Sequence, residues 1–300
     1  MTVNKVPVRV DSWGGYLPSK ITENSSSKPK ELILVVPGNP GVTKFYDKFA
    51  DRLYERTKKP IWVISHGGHD KDQKKLPRLK DNKDLYDLQG QVKQKTELIN
   101  KYLQGVKLYC VGHSIGSKMI LEILRENDEN DKVDIEECYF LFPTLERMAE
   151  TPNGKIVTWV INYILWLTLF GSWIFHFLPR FLQYSLVRIY CYVVSLSPDN
   201  IPAIIQLIEP HVLNKVFFLA YDEMKKVNEL DDATITANAS KLRIYYGATD
   251  GWTPLKYYEE LKLKHKDVKA EVCSRGYQHA FVLKYSKEVA DLVTGWILKT

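Results

Sequence analysis

Residues 106–124 read VKLYCVGHSIGSKMILEIL, and they carry the strongest indication of the fold class. Its apolar first part, Val106–Val111, predicts a buried strand, and Ile115–Leu124 predicts a helix that begins directly after it. The turn between them is GHSIG at 112–116, a G-x-S-x-G motif in the strand-to-helix context that this motif requires. The stretch therefore predicts a nucleophile elbow, in which Ser114 stands on a tight turn above the edge of a sheet.

Two glycines, Gly112 and Gly116, flank the predicted elbow. Bulky side chains two residues from Ser114 would collide with neighbouring backbone, whereas glycine allows the turn to be tight. The helix N-terminus behind Ser114 favours negative charge that develops during a reaction. An ordinary Gly-Ser turn is the alternative, but the strand, the motif and the helix all agree with the elbow.

The remaining sequence alternates predicted strands with predicted helices, in the manner of βαβ units. Apolar runs and helical spacings predict strands over 31–36, 60–65, 137–142, 242–246 and 269–273, and helices over 44–57, 84–103 and 286–298. This alternation predicts an α/β fold with a mainly parallel sheet and helices on both faces. We expect residues 1–300 to form a single domain of this kind.

Composition excludes several classes of protein. Hydrophobic residues make up 45% of the chain and charged residues 26%, which is typical of a globular protein and not of a disordered one. The net charge of +6 is too small for a nucleic-acid-binding signature, so we expect no nucleic-acid partner. Four widely spaced cysteines exclude a disulfide scaffold and favour a reducing, cytosolic compartment. We expect no secretory signal at the N-terminus.

A serine nucleophile needs a histidine base and an orienting carboxylate, in the chain order Ser, Asp or Glu, His for this kind of fold. His279 follows the last predicted strand, where a loop can carry it over the elbow. His265 lies among lysines, and we expect it on the surface. Asp250 follows the strand at 242–246 and a Gly-containing turn, which favours it as the acid. Asp222 is the competitor, although the residues before it suit a helix as well as a strand.

Backbone N–H groups should stabilise the oxyanion of the reaction intermediate. The first predicted donor is Ile115, directly after the nucleophile. The second should come from the loop PGNPG at 37–41, where Pro40 has no N–H group. We therefore predict Asn39 as the second donor, with Gly38 as the next candidate. A plain Pro/Gly turn remains the alternative.

The sequence HGGH at 66–69 resembles an oxyanion or metal motif. It follows the second predicted strand, and not the strand whose loop donates to the oxyanion. Two histidines three residues apart, without a third ligand, make a weak metal site. We interpret 66–69 as a structural loop, and we expect neither a metal nor a cofactor.

One segment differs from the rest of the chain. From Thr151 to Pro198 there is no Asp or Glu, although Lys155, Arg180 and Arg188 are present. The segment is rich in aromatic residues, and 156–177 is a run without formal charge, long enough to be a transmembrane candidate. It lies after the elbow half of the predicted sheet and before the strand that precedes Asp250.

Three interpretations of this segment compete. It forms a helical lid within an insertion at 151–230, a helix or hairpin that lies in a lipid surface through 155–195, or a true membrane span. The first two are compatible, because a lid with so apolar an outer face would itself be a lipid anchor. Trp159, Trp166 and Trp173 are seven residues apart, and we expect them close to one helical face as anchor residues.

Several motifs together resemble the lipid droplet-associated hydrolases. They are PGNPG at 37–41 with Phe45-Tyr46, GHSIGS at 112–117, LFPTLERM at 141–148 with PNG at 152–154, YYG at 245–247 with Asp250, Trp252 and Pro254, and HAF at 279–281. The resemblance implies an α/β-hydrolase fold and a serine esterase triad of Ser114, Asp250 and His279. It further implies residence on the lipid droplet and endoplasmic reticulum, on the cytosolic face.

The resemblance also implies a substrate class. A lipid ester is expected, with sterol esters as one candidate, in a role in lipid storage. Two alternatives stay open from the residues themselves. One is a droplet-bound scaffold with vestigial catalysis, and the other is an acyltransferase or thioesterase that uses the same three residues.

Overall fold

The computed structural model describes residues 1–16, 28–70, 76–130 and 133–299. The strands are β1 (Thr2–Val3), β2 (Val6–Pro7), β3 (Val10–Trp13), β4 (Glu31–Val36), β5 (Ile61–Ile64), β6 (Lys107–His113), β7 (Ile135–Leu141), β8 (Leu242–Gly247) and β9 (Lys269–Cys273). All six predicted strands are confirmed, with ends that differ by at most two residues. The short strands β1 to β3 are additional.

Seven strands form one sheet in the order β3-β5-β4-β6-β7-β8-β9. Neighbouring strands are parallel from β5 to β9, and only β3 runs antiparallel, along β5. The carboxyl ends of β4, β6, β7 and β8 therefore meet at one edge of the sheet, which is where ligands bind in open α/β folds. The predicted mainly parallel sheet is confirmed.

Eleven α-helices are present in the described residues. They are α1 (Asp47–Thr57), α2 (Leu88–Tyr102), α3 (Ile115–Asn130), α4 (Pro152–Tyr163), α5 (Leu165–Phe177), α6 (Arg180–Val193), α7 (Ile201–Ile208), α8 (Pro210–Lys226), α9 (Asp232–Ala237), α10 (Leu255–Lys264) and α11 (Ser286–Ile297). The four predicted helices are confirmed as α1, α2, α3 and α11. Two of them begin later than predicted, because 3-10 turns occupy 43–46 and 83–85.

The sheet is buried on both faces. Along β4, Leu32 and Leu34 pack into one core layer, and Ile33 and Val35 into the other, since successive side chains point to opposite faces. Helices α2 and α3 cover the first layer, whereas α1 and α11 cover the second. This arrangement explains why β4 is a continuous apolar run and not an alternating one.

Six helices, α4 to α9, occupy the chain between β7 and β8. We call α4 to α6, residues 152–193, the aromatic segment. All but four of the large hydrophobic side chains that are exposed in the described residues lie in this segment; the others are Tyr221, Leu255, Leu263 and Leu298. The segment is therefore helical, as predicted, but most of its apolar surface faces outward.

The uncharged run at 156–177 is divided between α4 and α5, which meet at an angle of 77°. Trp159 consequently lies on one helix, and Trp166 and Trp173 on the next. The prediction of a single helical face for all three is wrong, because the chain bends at Ile164. Among the described helices none is by itself long and apolar enough to cross a membrane, and two bent pairs, α4 with α5 and 198–208 with α8, pass that test only together.

Candidate active site

Ser114 lies between β6 and α3, where the sequence predicts the elbow. Its φ of +53° is in the left-handed region, which a residue with a side chain rarely adopts. A Cβ atom on Gly116 would lie 2.1 Å from the carbonyl oxygen of Val36, and one on Gly112 would lie 2.6 Å from Cα of Ser117. Only glycine fits at either position, so the sharp turn is held by close backbone contacts.

The structure brings Ser114, His279 and Asp250 together in that order. Oγ of Ser114 is 2.9 Å from Nε2 of His279, and Nδ1 of His279 is 2.6 Å from Oδ2 of Asp250. The neighbouring carboxylate fixes the proton on Nδ1, which leaves Nε2 of the neutral ring as an acceptor for the serine hydroxyl. This is the hydrogen-bonding pattern of a nucleophile, a base and an orienting acid.

Asp250 is held by several donors besides His279. Its Oδ1 accepts from the backbone N–H of Trp252 at 2.8 Å, and its Oδ2 accepts from the hydroxyl of Thr253 at 2.9 Å. Burial raises the pKa of Asp250, but the hydrogen bonds from His279, Trp252 and Thr253 outweigh it, and the pKa is lower than usual. The carboxylate therefore stays ionised beside the imidazole.

The competing residues lie elsewhere. Asp222 belongs to α8, and its Oδ2 accepts from the backbone N–H of Leu88 at 2.8 Å, so it caps α2. His265 is buried, and its Nε2 lies 2.7 Å from Oδ1 of Asp232. The prediction that His265 is a surface residue is wrong, because the ring turns inward at the end of α10 while its lysine neighbours remain exposed.

Of the predicted oxyanion donors, Asn39 lines the same cavity as Ser114, and Ile115 follows Ser114 in the chain. In the described part of the chain, the backbone N–H groups of Asn39 and Ile115 have no hydrogen-bond acceptor. The N–H of Gly38, the other candidate, donates to Oη of Tyr46 at 2.9 Å and is already used. Asn39 and Ile115 are therefore the available donors near the elbow.

A buried hydrogen-bond chain joins this loop to His279. Oη of Tyr46 lies 2.6 Å from Nδ1 of His113, and Nε2 of His113 lies 2.8 Å from the carbonyl oxygen of His279. Burial lowers the pKa of His113 to about 3, so the ring is neutral near pH 7. Because a carbonyl only accepts, Nε2 of His113 carries the proton and Nδ1 accepts from Tyr46.

Ser114 and His279 line a cavity of about 400 Å³, within the usual size of a small-molecule site. Its apolar walls include Phe45, Met148, Val157, Leu207, Phe217 and Trp252. Helices α4, α7 and α8 contribute to the walls, so the chain between β7 and β8 covers the elbow. Glu223 of α8 is the acidic residue on this lining.

The histidines of the loop at 66–69 are buried against the protein interior. His66 and His69 are buried, and Nδ1 of His69 lies 2.6 Å from the carbonyl oxygen of Pro40, beneath the loop that carries Asn39. Burial lowers the pKa of His69 to about 3. Across the described ranges, no group of three or more His, Cys, Asp or Glu side chains is arranged to hold a metal ion.

Comparison with known proteins decides the family. The sequence profile of the lipid-droplet associated hydrolases matches residues 29–282. The chain belongs to this family. A lipid droplet-associated hydrolase of Drosophila melanogaster is 38% identical over 99% of this chain and 96% of its own length, and that of Homo sapiens is 35% identical over 90% and 86%.

Solved structures agree on the fold of this lipid droplet-associated hydrolase family member. An α/β hydrolase from a deep-sea metagenome library superposes with a TM-score of 0.67 at 14% identity, covering 99% of this chain and 96% of that one. A meta-cleavage product hydrolase superposes with a TM-score of 0.64 at 12% identity, covering 100% and 97%. The predicted α/β-hydrolase fold is confirmed.

Sequence reasoning missed three residues of this site in the lipid droplet-associated hydrolase chain. Tyr46 and His113 belong to the sequence motifs, but no role is predicted for them, although a histidine at the end of a buried strand needs hydrogen-bond partners. The sequence motifs do not include Glu223. Its signal is an acidic residue on the apolar side of α8, near Leu219 and Ala220.

Proposed function

We propose that this protein is a serine hydrolase of lipid esters that works at the surface of lipid droplets. The observation that carries the proposal is the hydrogen-bonded series Ser114, His279 and Asp250 beside an apolar cavity of about 400 Å³. The names of its relatives support the droplet as the place of action. Sterol esters are one candidate class among the lipid esters.

The proposed acylation step begins at Ser114. Oγ of Ser114 attacks the ester carbonyl carbon while its proton passes to Nε2 of His279, and the carbonyl electron pair moves onto oxygen. The N–H groups of Asn39 and Ile115 stabilise that oxyanion. Asp250 holds the imidazolium in place. The intermediate then collapses, and the leaving alkoxide takes the proton from His279, which leaves an acyl-enzyme on Ser114.

Deacylation uses the same groups, with water in place of Ser114 as the nucleophile. His279 takes a proton from a water molecule, and the oxygen attacks the acyl carbon. The second tetrahedral intermediate expels Oγ of Ser114, which regains its proton from Nε2 of His279, and the carboxylic acid leaves. An alcohol in place of water would give acyl transfer, so product analysis with a competing alcohol separates the two activities.

The aromatic segment supports attachment to lipid. Trp159, Trp166 and Trp173 are 54%, 70% and 52% exposed, which is unusual for tryptophan unless something covers it. The segment carries Lys155, Arg180 and Arg188 and no acid, a charge pattern that an anionic lipid surface attracts. We propose that it acts as lid and anchor in one insertion at 151–230, within a single domain.

The cytosolic side of the droplet and of the endoplasmic reticulum is the proposed location. The cysteines Cys110, Cys138, Cys191 and Cys273 are all free and buried. Unpaired thiols are typical of a reducing compartment. The aromatic segment offers one apolar surface that suits either a droplet monolayer or a membrane leaflet.

The test is covalent labelling with a fluorophosphonate, which reacts with activated serines. Wild-type protein should label, with a faster rate in the presence of a lipid emulsion, and Ser114→Ala should not label at all. The Ser117→Ala variant, which changes the other serine of the motif region, controls for the site. Wild-type protein that never labels, with or without lipid, would refute the hydrolase and favour a droplet-bound scaffold.

A further inference from the structure

Glu223 occupies an unusual position for an acidic side chain. It is 1% exposed, and it lines the same cavity as Ser114. Its Oε1 atom has no hydrogen-bond partner among the residues that the structure describes. The neighbouring Asp222 turns the other way and caps α2. A buried polar atom without a partner is uncommon, and here it borders a space that a ligand can fill.

Asn39 adds a second unpaired atom to the same lining. Its Nδ2 donates to the carbonyl oxygen of Val216 at 3.0 Å, and this bond fixes the orientation of the amide. Oδ1 of Asn39 is buried and has no partner in the described ranges. Asn39 also follows Gly38, where a Cβ atom would lie 2.9 Å from Cβ of Ser114. Asn39 and Ser114 line the same cavity.

The two oxygens complement each other in hydrogen bonding. Burial raises the pKa of Glu223 well above its usual range, a hydrogen bond with the side chain of Asn39 opposes this shift, and the charge of Asp222 adds to it. A raised pKa favours the protonated carboxyl group, which both donates and accepts. The amide oxygen of Asn39 only accepts. A hydroxyl group, which donates once and accepts twice, satisfies both side chains at the same time.

We infer that Glu223 and Asn39 bind a free hydroxyl group of the substrate beside the scissile ester bond. The inference rests on the proposed hydrolase activity and narrows its substrate class. Partial glycerides carry such a hydroxyl on the alcohol part, and hydroxy fatty acid esters carry one on the acyl part. Fully esterified glycerides and simple sterol esters have none, and they leave both buried oxygens unpaired, which costs binding.

The experiment compares matched esters that differ only in hydroxyl groups. The first pair is 1-octanoylglycerol and propyl octanoate, and the second is propyl 3-hydroxyoctanoate and propyl octanoate. Wild-type protein should favour the hydroxyl-bearing member of at least one pair by about 10- to 100-fold in kcat/KM. The pair that shows the preference identifies the side of the ester on which the hydroxyl binds.

Three variants assign that preference. Glu223→Leu should reduce the preference, measured as the ratio of the two kcat/KM values within the pair, to about 1. Glu223→Gln keeps a donor and an acceptor and should retain part of the preference. Asp222→Asn makes the same chemical change at the neighbouring residue, away from the cavity, and should retain all of it.

Two results would overturn the inference. One is a wild-type protein with no preference in either pair, and the other is a Glu223→Leu variant that loses activity equally on both members. Fluorophosphonate labelling of Ser114 is measured on every variant, since the probe has no hydroxyl group to bind. Normal labelling without a hydroxyl preference refutes this inference alone, whereas absent labelling of wild type refutes the proposed function itself.

Discussion

The elbow and the aromatic segment are built in opposite ways. At the elbow, Ser114 is buried, and Gly116 lies so close to Val36 that no side chain fits between them. In the aromatic segment, Trp166 is 70% exposed, and a Cβ atom on Gly171 would meet nothing within 4 Å. The elbow is packed against other parts of the protein. The aromatic segment leaves its largest side chains without protein contacts on their outer side.

The polar groups of the two regions also differ in whether they have partners within the region. Asp250 receives hydrogen bonds from three residues, and His279 is fixed between two partners. The aromatic segment, by contrast, has three cationic side chains and no acid with which to pair them within its own residues. We therefore expect substitutions at the elbow to destabilise the fold or the site. We expect substitutions of exposed residues in the aromatic segment to leave the fold intact and to change only its binding to a surface.

The largest expected effect is on catalysis at the elbow. Asp250→Asn removes the charge that fixes the tautomer of His279, and kcat should fall by about 10⁴-fold. Asp222→Asn keeps an acceptor for the N–H of Leu88, and it should leave kcat within a few-fold of wild type. Steady-state hydrolysis of a soluble ester measures both. Equal losses in the two variants would mean that Asp250 is not the orienting acid.

The next effect lies in the aromatic segment. Replacing Trp159, Trp166 and Trp173 together by serine should weaken binding to a lipid emulsion by about 1000-fold, because apolar surface is no longer transferred out of water. Flotation with droplets measures the bound fraction, and hydrolysis of a soluble ester reports whether the core is intact.

A matched triple variant controls this result. Leu255, Leu263 and Leu298 are exposed apolar residues outside the segment, and their replacement by serine should leave lipid binding unchanged. If both triple variants bind like wild type, or both lose binding alike, the aromatic segment is not a specific anchor.

The smallest effect compares two glycines. Gly116→Ala should lower the free energy of unfolding by about 3 kcal/mol, since the new methyl group collides with backbone. Gly171→Ala should raise it by about 0.5–1 kcal/mol, because alanine favours an open helical position. Urea denaturation measures both values. A destabilised Gly171→Ala variant would show that α5 has close neighbours at this position.

The sheet and the residues at its carboxyl edge could be predicted well from the sequence. Buried strands such as β4 and β6 are continuous apolar runs, and Asp250 and His279 each follow a strand end, where parallel strands bring them to one edge. The edge strand β3 was not predicted, because Val10–Trp13 is only half-buried and its pattern is weak. A local sequence pattern therefore predicts a strand best where every residue of the strand is buried.

Features that depend on distant contacts could not be predicted. The bend at Ile164 separates Trp159 from the other two tryptophans, although seven-residue spacing suggests a single face. The inward turn of His265 depends on Asp232, and the role of Glu223 depends on Asn39, which is far away in sequence. In each case the deciding partner comes from another element, and no local period reveals it.

Helix α4 separates the cavity from the outer apolar surface. Val157 lines the cavity, whereas Ile156 and Trp159 on the same helix are more than half exposed. A helix with its side chains is only about 10 Å across. If the protein lies on lipid through this face, as proposed, a lipid ester has only about this thickness of protein to cross on its way to Ser114. Turnover then depends on the number of ester molecules per unit area of the droplet, and not on their concentration in the surrounding solution.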